Sequence, residues 1–433
     1  MGYSMRLALD TRGTLGKVAY PGAIGGSVPC DSIGLEYPIG STLEHLFGGG
    51  IWVGGKLDTA QNGTSPAVIV VSTAYEGWTG PYFEFFPGST PADTIWKVQG
   101  RGVPRPSGWE SYWGDLIPRL SFSDNDHYLL YDDAHVNVSG HVPLRLKVAQ
   151  SCYVWQDPYA DAIHIIDYRL VNIGTKEVDS AYVGVFLDAD VGSCVGVPNY
   201  SQNNYTGYYP DSRTGFVHNP IDFGSTPIGL SLIDASEPIA PLRFSYRWWT
   251  GPTHPATNIA KYALLSSGRI DSNQSLSTLS DARFMISVGP FTLLPEGAPG
   301  RDTLRLVFAL VSGENLAVMR RGAVRAQQIY LNGGQVSVGD DPDNWPSRYL
   351  LSQNFPNPFN PSTRITYELP GEGRVQLIVY DLLGRAVATL VNDTKPGGRH
   401  TIDFTPSNLS SGVYFCRLQA GGYVKTMKMM YVR

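Results

Sequence analysis

Two aspartates one residue apart, Asp188 and Asp190 in Leu187-Asp188-Ala189-Asp190-Val191, are the side chains best spaced for chemistry. On a strand, residues i and i+2 point to one side, so the two carboxylates converge and suit a hard cation, calcium above all. Calcium takes about six to eight oxygens, and Asn199, Asn203 and Asn204 can add side-chain carbonyls. The twelve-residue loop with its closing Glu is missing, so solvated strand-end aspartates stay open as the alternative. A denser acidic group, Asp124-Asn125-Asp126-His127 with Asp132-Asp133, has less regular spacing.

Glycoside hydrolysis would need two carboxyls about 5 to 10 Å apart across a sugar. Glu76, Glu84, Glu110, Asp115 and Asp157 lie among aromatic residues and qualify by type, but the sequence does not pair them. The chain has no G-x-S-x-G elbow, no HExxH and no phosphate loop. Gly48-Gly49-Gly50 and Gly54-Gly55 lack the Lys-Ser/Thr of a phosphate cradle and fit tight backbone packing around Trp52 better. His164, inside a strand, reads as a satisfied half-buried side chain.

The aromatic pattern points to binding. Tyr75, Trp78, Tyr82, Phe83, Phe85, Phe86, Trp96, Trp109, Tyr112 and Trp113 crowd into residues 75–113, between glycines and prolines. Flat apolar faces with polar rims suit sugar rings and protein partners alike. Tyr75, Trp78, Trp96, Trp109 and Trp113, with Glu76 and Glu110 between them, are therefore the candidate ligand-binding residues, unless the rings staple loops to the core.

These residues must be positioned by strands. Runs at 67–73, 127–131, 144–154, 162–172, 180–187, 283–288 and 303–311 alternate or are continuously apolar, and Asn172-Ile173-Gly174-Thr175 is a turn between two of them. They predict a large antiparallel β-sandwich over residues 1–331. One helix is expected over Glu314–Tyr330, its apolar face closing one end of the core. A turn-rich, acidic linker spans residues 332–353, stiffened by Pro342 and Pro346.

Composition agrees with an all-β chain: Gly and Pro are plentiful, and only 16% of residues are charged. A net charge of −5 gives no basic footprint for nucleic acid. No apolar run is long enough for a transmembrane helix. Cys30, Cys152, Cys194 and Cys416 show no CxxC spacing and allow three fully paired connectivities; Cys416, mid-strand, reads as a buried free thiol.

Residues 354–433 are a module of their own. Pro356, Pro358 and Pro361 dictate an extended strap. Period-two runs follow at 364–369, 375–380, 386–391, 400–404, 413–418 and 423–432, each bounded by Gly, Pro, Asn or Asp. This predicts a small Ig-like sandwich. The strap Asn354-Phe355-Pro356-Asn357-Pro358-Phe359-Asn360-Pro361-Ser362-Thr363 is followed in order by four further motifs. They are Val379-Tyr380-Asp381-x-x-Gly384-Arg385, Gly398-x-His400, Leu409-Ser410-Ser411-Gly412-Val413-Tyr414-Phe415 and the terminal Lys425-Thr426-Met427-Lys428-Met429. Together they resemble the C-terminal sorting domain of type IX (Por) secretion cargo. The resemblance implies passage across the outer membrane, with type IX machinery as the partner of 354–433. The Ig-like domain of flagellar hook-capping proteins shares some of these motifs and is the competing likeness. Met1 to Arg6 lack the apolar core of a signal peptide, so the expectation is that a periplasmic signal was trimmed or lost at the gene start.

The front domain resembles uncharacterised exported proteins carrying the same tail, in Leu46 to Gly55, Ser72 to Trp78 and Tyr182 to Gly192. In architecture alone it is similar to the supersandwich of galactose-mutarotase-like domains. The expectation is an exported or cell-surface protein whose front domain binds glycan or a protein partner, with calcium as its cofactor. The alternative is a secreted carbohydrate-active enzyme of unfamiliar type.

Overall fold

Where apolar residues alternate or run continuously, the chain pairs into antiparallel sheets. The structure is a computed structural model. It describes residues 5–16, 34–39, 41, 43–58, 67–75, 84–88, 94–105, 116–134, 142–157, 159–193, 200–222, 225–236, 238–239, 242–300, 303–336, 349–369, 373–395, 398–406, 409–420 and 423–432. Two units divide the chain, Met1–Val336 and Ser337–Arg433.

In the first unit, an eight-stranded sheet runs in the order Tyr205–Tyr209, Thr214–His218, Ile228–Ala235, Leu304–Ser312, Ile163–Asn172, Leu146–Val154, Asn125–Asp132, Trp96–Gln99. Facing it is a second sheet in the order Arg243–Thr250, Ala282–Leu293, Val178–Asp188, Gly48–Leu57, Leu15–Gly16, with Val68–Thr73 also paired to Gly48–Leu57. Val183, Val185 and Leu187 of the second sheet pack with Ile166, Tyr168, Leu306 and Phe308 of the first, forming the main core. The β-sandwich expected from the sequence is thus observed.

Both sheets are apolar on their outer faces too, which calls for a cover on each side. On the eight-stranded sheet, Val307, Ala309 and Val311 point away from the main core and pack against Met319, Ala323, Ala326 and Ile329 of the helix Leu316–Leu331. The expected helix therefore lies across a sheet face and does not close an end of the core. Asn315 caps it, its side-chain oxygen accepting from the amides of Ala317 (3.0 Å) and Val318 (3.1 Å).

A second helix, Asn258–Leu265, covers the other sheet. Its eight residues are too few for a clear period, so the sequence does not announce it. Its Tyr262 and Leu265 join a cluster with Trp52, Tyr75, Phe186 and Trp249 on that face. Gly54 makes this close docking possible, since a Cβ there would stand 2.9 Å from both Leu265 Cδ1 and Tyr262 Cδ2. Gly54→Leu should lower the stability of this unit by about 1–3 kcal/mol through overpacking. Urea unfolding checks this, and an unchanged midpoint would show that the helix yields freely.

The second unit is a seven-stranded sandwich. Leu350–Leu351, Thr363–Leu369 and Gly398–Phe404 form one sheet; Ala386–Lys395, Gly373–Tyr380, Gly412–Ala420 and Tyr423–Tyr431 form the other. Ile365, Tyr367 and Leu369 alternate into a core with Val375, Leu377, Val379, Cys416, Leu418, Met427 and Met429. Three plus four antiparallel strands around one core match the Ig-like expectation. The proline strap runs along the last strand: Phe359 N donates to Met430 O (2.9 Å) and Val432 N to Phe359 O (3.0 Å), covering an otherwise open edge. Cys416 is a free buried thiol, pushed by burial up to about 12. Cys152 is also free and buried, while Cys30 and Cys194 lie outside the described residues.

Candidate cation site

The strand Val178–Asp188 is buried between Gly48–Leu57 and Ala282–Leu293, in a register that sets Asp188 between Gly48 and Arg283. The strand ends there, because Ala189 and Asp190 no longer pair. Asp281 stands just before the neighbouring strand, two residues from Arg283 and so on the same side. The result is that one carboxylate oxygen from each of Asp188, Asp190 and Asp281 lies within 4.8 Å of the others.

Among the described residues, Arg283 is the cation that pairs with this group. Arg283 Nε donates to Asp188 Oδ1 at 2.8 Å, and its terminal nitrogen reaches Asp281 Oδ2 at 3.5 Å. Among the described residues Asp190 makes no hydrogen bond. Burial, together with Asp281, pushes the Asp188 carboxyl up to about 6 against the pull of Arg283. Asp190 is pushed well above the ordinary carboxylate range by burial first, then by Asp188, Asp281 and Glu44. Glu44 comes from Leu43–Glu44, which pairs with Gly192–Ser193.

A buried amide is fastened to the same segments. Asn204 is fully buried; its Nδ2 donates to Ala189 O at 3.1 Å, and its backbone O accepts from Ser280 N at 3.1 Å. It is therefore tied to the two segments that carry the aspartates. Asn204 Oδ1 and Asp281 Oδ1 are buried without a hydrogen-bond partner among the described residues. Buried oxygens without donors are costly unless something positive meets them. Three converging carboxylates suit a hard divalent cation. The carboxyls sit closer together than the about 5 to 10 Å of a glycosidase pair, and one of them is held by Arg283.

Sequence spacing pointed to Asp188, Asp190 and Asn204 but passed over Asp281 and Arg283, nearly a hundred residues away. The alternation in Asp281-Ala282-Arg283, at the head of a strand, was the available signal. Asn199 lies outside the described residues, and Asn203 ends the short turn Tyr200–Asn203.

The second acidic group is spent on structure. Asp126 accepts from Phe122 N, Ser123 N and Tyr128 OH at 2.6–2.9 Å. Asp133 accepts from Ser72 Oγ, Leu144 N and Leu146 N at 2.6–2.7 Å. Glu84 is buried on Thr73 N (2.9 Å) and Oγ1 (3.0 Å), and Asp157 holds the Tyr159 amide (2.9 Å).

Of the aromatic belt, Tyr75 is a correction. It is 1% exposed, stacked on Phe186, with its carbonyl accepting from Trp52 Nε1 at 2.6 Å. It needs no ligand because the outer cluster already buries it, and it offers none a surface. Phe85 is likewise core, and Trp96 is half-buried against the cluster beneath Leu316–Leu331. Trp78, Trp109, Trp113, Glu76 and Glu110 lie outside the described residues.

Comparison with known proteins decides the tail. Residues 353–432 match the family model of the secretion system C-terminal sorting domain. A tail of this kind marks a secreted cargo of the type IX machinery, and that machinery is its partner. No curated protein matches the chain, and the expected likeness of the front domain to exported proteins finds no support in a homologue. Among the described residues, no helix is long and apolar enough to cross a membrane.

Proposed function

We propose that this protein works at the cell surface or outside the cell as a non-catalytic binding module. The sorting tail delivers it, and the front sandwich engages a glycan or a protein partner. The observation that carries the export half is the match over 353–432, on a sandwich with its own core and a covered edge. For the front domain, the support is the cluster of Asp188, Asp190 and Asp281, proposed as a calcium site that ties the end of the central strand to the segments around Asn204 and Asp281. Such a site would hold the neighbouring surface in a fixed shape for its partner.

Export is tested with the full chain behind a periplasmic signal peptide in a host with the type IX machinery. Surface exposure is expected, and loss of residues 353–433 should leave the protein in the periplasm. Equal surface exposure without the tail overturns the reading.

The cation half has its own readout. Calcium bound only to the native state raises Tm with free ion, by about 2.7 kcal/mol of stability at a hundred times Kd. Asp188→Asn with Asp190→Asn should abolish that dependence. A wild-type Tm that a chelator leaves unchanged removes the site.

A further inference from the structure

Among the sorting domain's described residues, the three most exposed large apolar side chains are ones that its own core does not use. Phe355 is 81%, Leu382 69% and Leu383 77% exposed. Solitary exposed leucines are ordinary, but adjacent ones held on a rigid turn are less so. Asp381 fixes this turn from within: its Oδ1 accepts from Leu383 N and Arg385 N (both 2.9 Å), and its Oδ2 pairs with Arg385 Nε (2.7 Å). Gly384 completes it at φ +76°, where other residues are strained. The motif Asp381-x-x-Gly384-Arg385 thus frames two side chains that face water.

Register brings Phe355 to the same end of the sandwich. Tyr380, where the turn begins, pairs with Phe415, and Gly412 with Tyr431. Phe359 packs on Tyr431 and Phe404 at ring distances of 5.0 and 6.2 Å. Phe404 pairs with Thr363, and Phe355 is bridged to the next residue, Arg364. The chain enters the sandwich at the opposite end, where Leu350 pairs with Glu368. Around the apolar end stand the charged side chains of Arg385, Arg364 and Asp403, all largely exposed. Apolar anchors within a polar rim are the usual make-up of a docking surface.

We infer that Leu382 and Leu383, with Phe355 at the same end of the sandwich, are the anchors by which the sorting domain docks into an apolar pocket of the type IX export machinery. The occupant follows from the family match, which spans all three residues and makes that machinery the partner of this domain. A turn already held by Asp381 loses little freedom on docking, which favours recognition by a short segment. This inference rests on the export reading above.

The test uses the full chain behind a periplasmic signal peptide in a type IX host, followed by cell fractionation. Leu382→Ser with Leu383→Ser should keep the wild-type melting curve, since neither side chain is in the core. Removing two apolar anchors that docking would bury should weaken recognition at least about tenfold, seen as accumulation in the periplasm. Leu382→Met with Leu383→Met should restore export. Val424→Ser, also at an exposed apolar position but at the opposite end, should export normally. Wild-type export of the double Ser variant overturns the inference while leaving the export reading intact, as does equal loss in the Val424 variant. Should the double variant melt early, Leu383→Ser alone replaces it, with the same expected loss and the same overturning result. A wild-type chain that itself stays in the periplasm sinks the export reading instead.

Discussion

Replacing Arg283 by Met should destabilise the front domain by about 3–5 kcal/mol at pH 7, because it leaves a buried carboxylate without its counter-charge. Asp188 is 3% exposed, and the guanidinium is its hydrogen-bonded partner at 2.8 Å. Asp190 and Asp281 add repulsion within 4.8 Å. The loss should shrink on acidification, since a carboxyl already pushed up to about 6 takes a proton more readily once the arginine is gone. The sign is that of a raised folded-state value: stability from protonation is present at low pH and lost as pH rises through the folded value. Urea titrations of wild type and Arg283→Met at pH 7 and pH 5 read both effects. A variant as stable as wild type at pH 7 would mean that the aspartates are already neutral there. Calcium, if it occupies the cluster, should restore much of the lost stability at pH 7 in Arg283→Met.

The front domain should also unfold steeply between pH 6.5 and 4, and its buried histidines are the cause. Burial lowers His45, His127 and His164 to about 4 each. For groups depressed in the folded state, the unfolded chain takes up protons first, so stability is lost as pH falls from the unfolded value of about 6.5 toward 4. For a fully buried histidine the loss is on the order of 3 kcal/mol. His164 is the cleanest case, with Nε2 buried and unbonded among the described residues. Asp188 and Asp190 act the other way in this window, gaining protons in the folded state as pH falls. His164→Phe should therefore flatten the acid limb of a stability-against-pH curve while changing little at pH 8. If calcium occupies the cluster as proposed, it should steepen that limb, because it would hold Asp188 and Asp190 ionised and be displaced by acid. An acid limb identical in wild type and His164→Phe would exclude this histidine as a contributor.

Much of the molecule was legible in the sequence because its physics is local. Alternation at 364–369 and 375–380, bounded by Gly and Pro, is sufficient for strands of a two-sheet module, and the observed strands Thr363–Leu369 and Gly373–Tyr380 follow it. The ordered motifs of the tail carried the sorting assignment for the same reason, since each is a turn or strand end defined by near neighbours. Asp188 and Asp190 were found through an i, i+2 rule that holds on any strand. Gly48–Leu57 was not read as a strand, since five glycines in ten residues carry no β-propensity. It lies between two strands because its bare positions receive side chains from elsewhere, Gly48 the ring of Tyr75 and Gly54 the helix residue Leu265.

What only the tertiary structure decided are the meetings of distant segments. Asp281, Arg283 and Asn204 reach the aspartates through sheet register and a tether to Ala189, neither of which leaves a mark in local sequence. The same holds for burial: Tyr75 looks like a binding ring in a Gly-rich loop, yet it is core because it stacks on Phe186, more than a hundred residues away, within the outer cluster. His164 follows this rule too, read as a satisfied half-buried side chain and found fully enclosed with a free nitrogen. Local pattern sets which face a side chain takes, and long-range packing alone sets what stands opposite that face.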